Sequence, residues 1–319
     1  MRRIAVILVL LLAATVWPAA GGLVRRSATP QSAEGLQADF NNDGFADLAV
    51  GVSGENLGAI GNGGAVNVLY GSVGGLTGAG SELFTQDTGV PGAAELGDGF
   101  GDALTVGDFD GDGYPDLAVG VPLEDVGAVV DAGAVNVQYG SAGGLTGAGS
   151  QLFTQDSPGV VSRTEPHDDF GDVLGAGDFD GDGFADLAVG VRREDVSTTA
   201  GAGAVNVLYG TAAGLTGAGS QFFTQDSGGV PGVVEPDDEF GVALGAGDFD
   251  SDGFVDLAVG APGEDFGANE RGGAVNMLPG SAGGLTGTGS QLFTQDSPGV
   301  PDSVEFDDFF GEALAASGP

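Results

Sequence analysis

The chain has 319 residues, among them 64 glycines, 14 prolines and no cysteine, with 46 acidic against 8 basic side chains. The net charge of -38 repels nucleic-acid phosphates and anionic lipid surfaces, which argues against both classes of partner. The lack of cysteine excludes disulfides, thiolate metal sites and cysteine nucleophiles, and the glycine content is typical of short strands and tight turns.

Residues 1–22 have the pattern of a signal peptide. Arg2 and Arg3 precede an apolar stretch that is too short for a membrane span, and small residues follow it. We therefore expect an exported chain, secreted or held at the cell surface, with no membrane insertion after the signal is cleaved. Residues 23–37 are interpreted as a linker.

From residue 38 onwards the sequence repeats itself at intervals of about 70 residues. An aspartate-rich segment begins at Asp39, Asp108, Asp178 and Asp248, and segments of the form GAVNVLYG and SQLFTQD recur in step with it. Each unit contains four short β-prone stretches bounded by turn residues. In the third unit these predict strands over residues 171–176, 186–191, 204–209 and 221–224.

The strand patterns predict sheets that are covered on both faces. In DLAVGV, small and apolar residues occupy both sides, which is typical of a strand with neighbours above and below the sheet. Repeated four-stranded units of this kind predict an all-β fold, a β-propeller of four-stranded antiparallel blades over residues 38–319. A stacked β-solenoid is the competing fold, although its coils usually repeat at shorter intervals.

Counting strands predicts four blades in a closed ring. The first unit lacks the strand that precedes the aspartate-rich segment in the other units, whereas residues 310–316 form such a strand without a following unit. The C-terminal strand would then complete the first blade and remove its exposed edge.

The units resemble the FG-GAP repeat of the integrin α-subunit propeller. Phe-Gly stands at 100–101, 170–171, 240–241 and 310–311, and Gly-Ala-Pro stands at 260–262, with GVS, GVP and GVR at the equivalent positions. The resemblance implies a propeller with calcium-binding hairpins. Known propellers of that family have seven blades, so a fragment of a seven-blade ring is the alternative to a closed ring of four.

The aspartate-rich segments are the candidate metal sites. Side chains at alternate positions converge when a loop curls, and the glycine at the sixth position permits the positive-φ turn that this requires. A cage of oxygen ligands favours Ca²⁺ over Mg²⁺ and zinc. Aspartates that only shape a turn are the alternative interpretation.

We expect one Ca²⁺ per loop, bound by side chains and by the backbone carbonyl of the seventh residue, and weakest in the first loop because Asn41 replaces a carboxylate. The predicted ligands are Asp39, Asn41, Asp43, Phe45 and Asp47; Asp108, Asp110, Asp112, Tyr114 and Asp116; Asp178, Asp180, Asp182, Phe184 and Asp186; and Asp248, Asp250, Asp252, Phe254 and Asp256.

Loops that differ between units are the candidate recognition surface, which topology places at the opposite end of the blades from the aspartate loops. They contain Arg163, Arg192, Arg193 and Arg271, predicted to bind an anionic group of a partner, although arginine is also an ordinary residue of polar loops. Three Glu-Asp pairs, at 124–125, 194–195 and 264–265, are interpreted as a solvated acidic face rather than acid/base pairs of a glycan-cleaving site. His167 is interpreted as an exposed or salt-bridged residue rather than a catalytic base. Phenylalanines 84, 153, 223 and 293 are interpreted as core.

These features predict a secreted calcium-binding propeller that acts as an extracellular binding or adhesion module for a protein or glycan, without catalysis of its own. Two alternatives are a structural cell-surface or matrix repeat protein and a glycan-active enzyme that uses carboxylates.

Overall fold

A computed structural model describes residues 38–267 and 269–316. The predicted signal peptide (1–22) and linker (23–37) lie outside the described residues. The described residues form fifteen strands and no helix. None of them forms a helix long and apolar enough to cross a membrane.

The strands form four sheets, one of three strands and three of four, in which each strand pairs antiparallel with its neighbour in the chain. These sheets are the blades of a β-propeller, here numbered 1 to 4. Blade 1 contains β1 (Leu48–Val52), β2 (Ala65–Tyr70) and β3 (Thr77–Phe84); blade 2 contains β4 (Leu104–Gly107), β5 (Asp116–Val121), β6 (Ala134–Tyr139) and β7 (Thr146–Phe153); blade 3 contains β8 (Val173–Gly177), β9 (Asp186–Val191), β10 (Ala204–Tyr209) and β11 (Thr216–Phe223); blade 4 contains β12 (Leu244–Gly247), β13 (Asp256–Ala261), β14 (Ala274–Leu278) and β15 (Gln291–Phe293).

The all-β fold and the four-strand unit are confirmed, and the two central strands of blade 3 have the predicted bounds. The inner strand begins at Val173 rather than at residue 171, since Gly171 has a φ of 95° and is not extended. The outer strand begins at Thr216 because a register shift between Val207 and Tyr209 lets the TGAG segment pair as well.

The core lies between consecutive blades. Every residue of β5 and of β9 is buried, so both faces of these strands are covered as predicted. In one cluster, Val137 and Phe153 of blade 2 pack with Leu187 and Val189 of blade 3. The phenylalanines predicted to be core are buried at 84, 153 and 223, whereas Phe293 is 37% exposed.

A glycine in the strand that follows each aspartate loop, β1, β5, β9 or β13, lets the next Phe-Gly segment pass directly above that strand. A Cβ at Gly190 would lie 2.3 Å from the carbonyl oxygen of Gly241. Gly51, Gly120 and Gly260 have the same relation to the carbonyls of Gly101, Gly171 and Gly311. Each Phe-Gly dipeptide of the repeat therefore packs directly on the glycine of the strand that follows an aspartate loop.

The predicted closing strand is not a strand in the described residues. Residues 310–316 are turn and irregular, and Leu314 and Ala316 lie beside Gly245 of β12, the position of an inner strand following blade 4. No pairing in the described part of the chain joins this segment to β1. Among the described strands β1 has a partner on one edge only, so its other edge is not covered by the strand that counting assigned to it. The side chains of Leu48 and Val50 in β1 are also 43% and 38% exposed.

Candidate metal centres

The aspartate loops of blades 2, 3 and 4 each connect two antiparallel strands, and the loop of blade 1 leads into β1. All four loops are curled by their own side chains. In blade 3, between β8 and β9, Asp178 accepts hydrogen bonds from the backbone N–H groups of Asp182 and Gly183, each at 3.0 Å. Gly183, at the sixth position, has a φ of 94°, as the sequence predicts. The fourth position also has positive φ in all four loops, in Asn42, Gly111, Gly181 and Ser251, a requirement that the sequence reading missed.

The ninth residue fixes the loop to the rest of its blade. Asp186 is fully buried, and its two carboxylate oxygens accept hydrogen bonds from the N–H of Phe179 at 2.8 Å and the N–H of Gly210 at 2.9 Å. Gly210 opens the loop between β10 and β11, so the aspartate loop and that second loop lie at the same end of the blade. Asp47, Asp116 and Asp256 make the equivalent pairs of bonds.

The loops of blades 2, 3 and 4 each bring three carboxylates together. Oxygen atoms of the first, third and ninth residues lie within 4.8 Å of one another in three groups: Asp108, Asp110 and Asp116; Asp178, Asp180 and Asp186; and Asp248, Asp250 and Asp256. The fifth-position carboxylates are exposed and instead accept hydrogen bonds from the N–H two residues further on, as Asp182 does from Phe184 at 3.0 Å.

The first loop folds in the same way with one carboxylate fewer. Asp39 accepts from the N–H of Gly44 at 2.9 Å, and Asn41 accepts from the N–H of Asp43 at 3.0 Å, the role that Asp180 has in blade 3. Asn41 supplies an amide oxygen where the other loops supply a charged one.

Without a counterion, keeping these clustered carboxylates ionised costs free energy. Burial, together with the charges of Asp110 and Asp108, raises the pKa of Asp116 to about 8. The pKa of Asp186 is raised to about 8, and that of Asp108 to about 6, for the same reasons. Asp108 Oδ1 is buried and has no hydrogen-bond partner. A hard cation would fit this set, because it would offset the repulsion and use the free oxygen.

The arginines predicted to bind a ligand are mostly paired within the protein. Arg192 lies 3.4 Å from Asp169 and 3.1 Å from Asp172, and Arg193 lies 3.2 Å from Asp169, a residue only 2% exposed in its side chain. The two arginines therefore neutralise the buried carboxylate of Asp169 before either could bind a ligand.

Arg271 pairs with Asp307 at 2.6 Å and lies over the rings of Phe306 and Phe309, 5.7 and 5.4 Å from their centroids. Arg163 is exposed and has no ion pair among the described residues. The four arginines thus lie in different surroundings and do not form one group of free cations.

A surface cavity of about 260 Å³ lies beside these loops, lined by Arg193 and His167 and by the acidic residues Asp195, Asp237 and Glu239. His167 is largely exposed and its Nδ1 lies 2.9 Å from Asp131 Oδ2, which confirms the interpretation of this histidine as an exposed or salt-bridged residue.

The Glu-Asp pairs differ from the prediction in one respect. Their aspartates are exposed, but Glu124, Glu194 and Glu264 are only 9%, 7% and 5% exposed. Each glutamate accepts a hydrogen bond from a glutamine of the preceding unit. The glutamine of the recurring SQLFTQD segment is the sequence signal that could have revealed this.

Comparison with known proteins agrees with the repeat structure. The FG-GAP repeat model matches residues 35–69, 100–137, 170–208 and 240–275. The chain is an FG-GAP repeat protein, with one match in each blade.

Named relatives fall into two groups. Phosphatidylinositol-glycan-specific phospholipase D of Rattus norvegicus is 37% identical over 48% of this chain and 17% of its own length. Integrin alpha-PS5 of Drosophila melanogaster is 34% identical over 53% of this chain and 15% of its own length, and integrin alpha-3 of Cricetulus griseus is 32% identical over 52% and 14%. The chain thus matches less than a fifth of the length of each relative.

The comparisons contradict the prediction that the chain is not an enzyme. Phosphatidylinositol-glycan-specific phospholipase D, an enzyme by its name, is among the relatives in Rattus norvegicus, Mus musculus, Bos taurus and Homo sapiens at 35–37% identity. The same repeat occurs in enzymes and in integrins, so the fold alone does not decide between them.

Proposed function

We propose that the chain is a calcium-dependent binding module that works outside the cytoplasm. The observation that carries the proposal is the convergence of three carboxylates within 4.8 Å in each of the loops of blades 2, 3 and 4. The loops curl through their own backbone hydrogen bonds, so the ligand set is preorganised before an ion binds.

Each Ca²⁺ would be held by the side-chain oxygens of the first, third and ninth residues. The fifth-position carboxylate would turn inward, and the seventh carbonyl would complete the set. The ion supplies positive charge to a loop with no basic side chain. Extracellular calcium modules bind with dissociation constants of about 10⁻⁴ to 10⁻³ M, and at ten times that concentration each site adds about 1.4 kcal/mol to stability.

Thermal melting with and without calcium tests this part of the proposal. Calcium should raise the melting temperature of the wild type by several degrees relative to chelator, and Asp180→Asn should lose part of that increase. Asp226→Asn is the matched control, because Asp226 is an exposed aspartate of the same unit outside the loop. A melting temperature that calcium and chelator leave equal would refute calcium binding by these loops.

We further propose that the variable loops at the opposite end of the blades bind an extracellular protein or glycan. These loops differ between units on a repetitive scaffold, which is the usual arrangement of a recognition surface. Arg163 and the outer faces of Arg193 and Arg271, which are 51% and 50% exposed in their side chains, are the cations that such a partner would meet.

Binding to an array of immobilised glycans and matrix proteins, in calcium and in chelator, tests the recognition proposal. For a ligand so found, Arg163→Ala should weaken binding and leave the calcium-dependent melting unchanged. If Asp180→Asn abolishes binding while Arg163→Ala and Arg193→Ala leave it intact, the partner binds at the aspartate loops instead.

A further inference from the structure

Each junction between consecutive blades contains a buried glutamine and a buried glutamate in direct contact. Gln86 Nε2 donates to Glu124 Oε2 at 2.6 Å, Gln155 Nε2 donates to Glu194 Oε2 at 2.6 Å, and Gln225 pairs with Glu264 in the same way. The glutamine follows the outer strand of one blade, and the glutamate follows the second strand of the next. The contact therefore bridges two blades.

A buried aspartate accompanies each pair. Asp98, Asp168 and Asp238 are at most 2% exposed, and one oxygen of Asp238 accepts the N–H of Glu235 at 2.6 Å. The loop that contains the glutamate is bonded to the same segment, since the N–H of Gly263 donates to the carbonyl of Asp238 at 3.1 Å. Burial and the charge of Asp98 together raise the pKa of Glu124 to about 7.

In each of these glutamines one buried amide atom has no hydrogen-bond partner. Gln86, Gln155 and Gln225 are 1–2% exposed, and the Oε1 atom of each is buried without a hydrogen bond. Turning the amide over would place Oε1 against the carboxylate and leave Nε2 unpaired, so either orientation leaves one amide atom unsatisfied. Asp238 Oδ1 is likewise buried and unpartnered.

Basic side chains do not compensate these carboxylates. Within the described ranges, no ion pair reaches the glutamate or the aspartate of any junction set. Arg192 and Arg193 lie at the second junction but pair with Asp169 and Asp172. An oxygen-rich group with unbalanced negative charge and a free amide oxygen has the composition of a site for a hard cation.

We propose that each blade junction binds a divalent cation of the Ca²⁺ type between the glutamine Oε1, the glutamate and the aspartate. These sites form a second set, separate from the aspartate loops, and need no residue of those loops. Because the ligands come from two blades, an ion bound there holds consecutive blades together, whereas a hairpin ion stabilises a loop within one blade.

The test counts bound calcium by equilibrium dialysis against buffered calcium. The wild type should bind more ions than its four aspartate loops can hold. Replacing Glu124→Gln, Glu194→Gln and Glu264→Gln together should remove about one ion per junction and lower the calcium-induced rise in melting temperature. The matched variant, Asp110→Asn with Asp180→Asn and Asp250→Asn, should lose the ions of the aspartate loops of blades 2, 3 and 4 and keep the junction ions.

The main alternative is that the glutamates are protonated and hydrogen-bond to the glutamines without an ion. Glutamine imitates a protonated glutamate, so the junction variant would then fold, bind as many ions as the wild type and respond equally to calcium, which overturns the proposal. If the variant does not fold, a wild-type count of four or fewer also overturns it. Failure of the hairpin variant to lose ions would instead refute the aspartate-loop sites, so the two sets of sites are judged separately.

Discussion

Asp186 both holds its loop in place and is a predicted ligand. Its two oxygens accept N–H bonds from Phe179 and Gly210. In Asp186→Asn, one of these N–H groups would face an NH₂ group, and a buried donor without an acceptor costs about 1–3 kcal/mol. We expect a lower melting temperature in chelator as well as in calcium. Asp180→Asn is the comparison, because it should lower the melting temperature mainly when calcium is present. If Asp186→Asn melted at the wild-type temperature in chelator, the structural role of Asp186 would be contradicted.

The raised pKa values predict how stability depends on pH in the absence of metal. Asp116 and Asp186 have folded pKa values of about 8, against 3.8 for an unperturbed carboxyl group. Between these values the folded state binds more protons than the unfolded state, so the free energy of unfolding falls as the pH rises from about 4 to about 8. The slope vanishes below the unfolded pKa and again above the folded one.

Melting in chelator at pH 5, 6.5 and 8 would measure this, with the highest melting temperature expected at pH 5. Calcium bound as proposed would compete with protons for the same oxygens, so the increase in melting temperature that it produces should be largest at pH 8. A chelated protein that becomes more stable between pH 5 and pH 8 would contradict the assignment of burial as the dominant cause.

Among the strands, the one that follows each aspartate loop has the strictest packing requirement. A Cβ at Gly190 would meet the Gly241 carbonyl at 2.3 Å, and a backbone atom cannot move aside as a side chain can. Gly190→Ala should therefore cost at least the 1–3 kcal/mol that is typical of overpacking. The control is Gly78→Ala, also within a strand, where nothing lies within 4 Å of the new Cβ. Denaturant unfolding of both variants would measure the change in the free energy of unfolding. It would show whether that change comes from the close approach of the two segments or from the loss of a glycine.

Alternation and turn residues were sufficient to predict the central strands, since β9 and β10 begin and end where the sequence indicated. The curl of the aspartate loops was also predictable, because it depends on residues within one short segment. Burial of Glu264 was not, since its partner Gln225 is 39 positions away and only the stacking of blades brings the two together. The position of residues 310–316 depends in the same way on blade packing, which strand counting does not measure.

Over the whole molecule, the protection of backbone amides against hydrogen exchange should differ between blades. All six residues of β5 and of β9 are buried, but β1 has exposed and half-buried residues and, among the strands that the structure describes, pairs with β2 alone. We expect hydrogen exchange in calcium to be fastest in β1 and slowest in β5 and β9, because local opening follows burial and pairing. Equal protection of β1 would mean that a further strand covers its free edge, as the predicted ring closure requires.

The Phe-Gly dipeptides have a consequence for how the chain folds and how its length could vary. The N–H of Phe170 donates to Ala132 in the loop of blade 2, and the N–H of Gly171 donates to Gly190 in blade 3. Phe240 and Gly241 make the same two contacts one blade later, with Ala202 and Gly260. Each of these Phe-Gly joints, meaning the hydrogen bonds that one dipeptide makes to two blades, involves only adjacent blades. Each blade should therefore be stabilised mainly by its neighbours, as in a one-dimensional array. Duplication or loss of one unit of about 70 residues would leave every remaining joint chemically unchanged, so repeat number is a property that such a sequence can alter without redesigning its core.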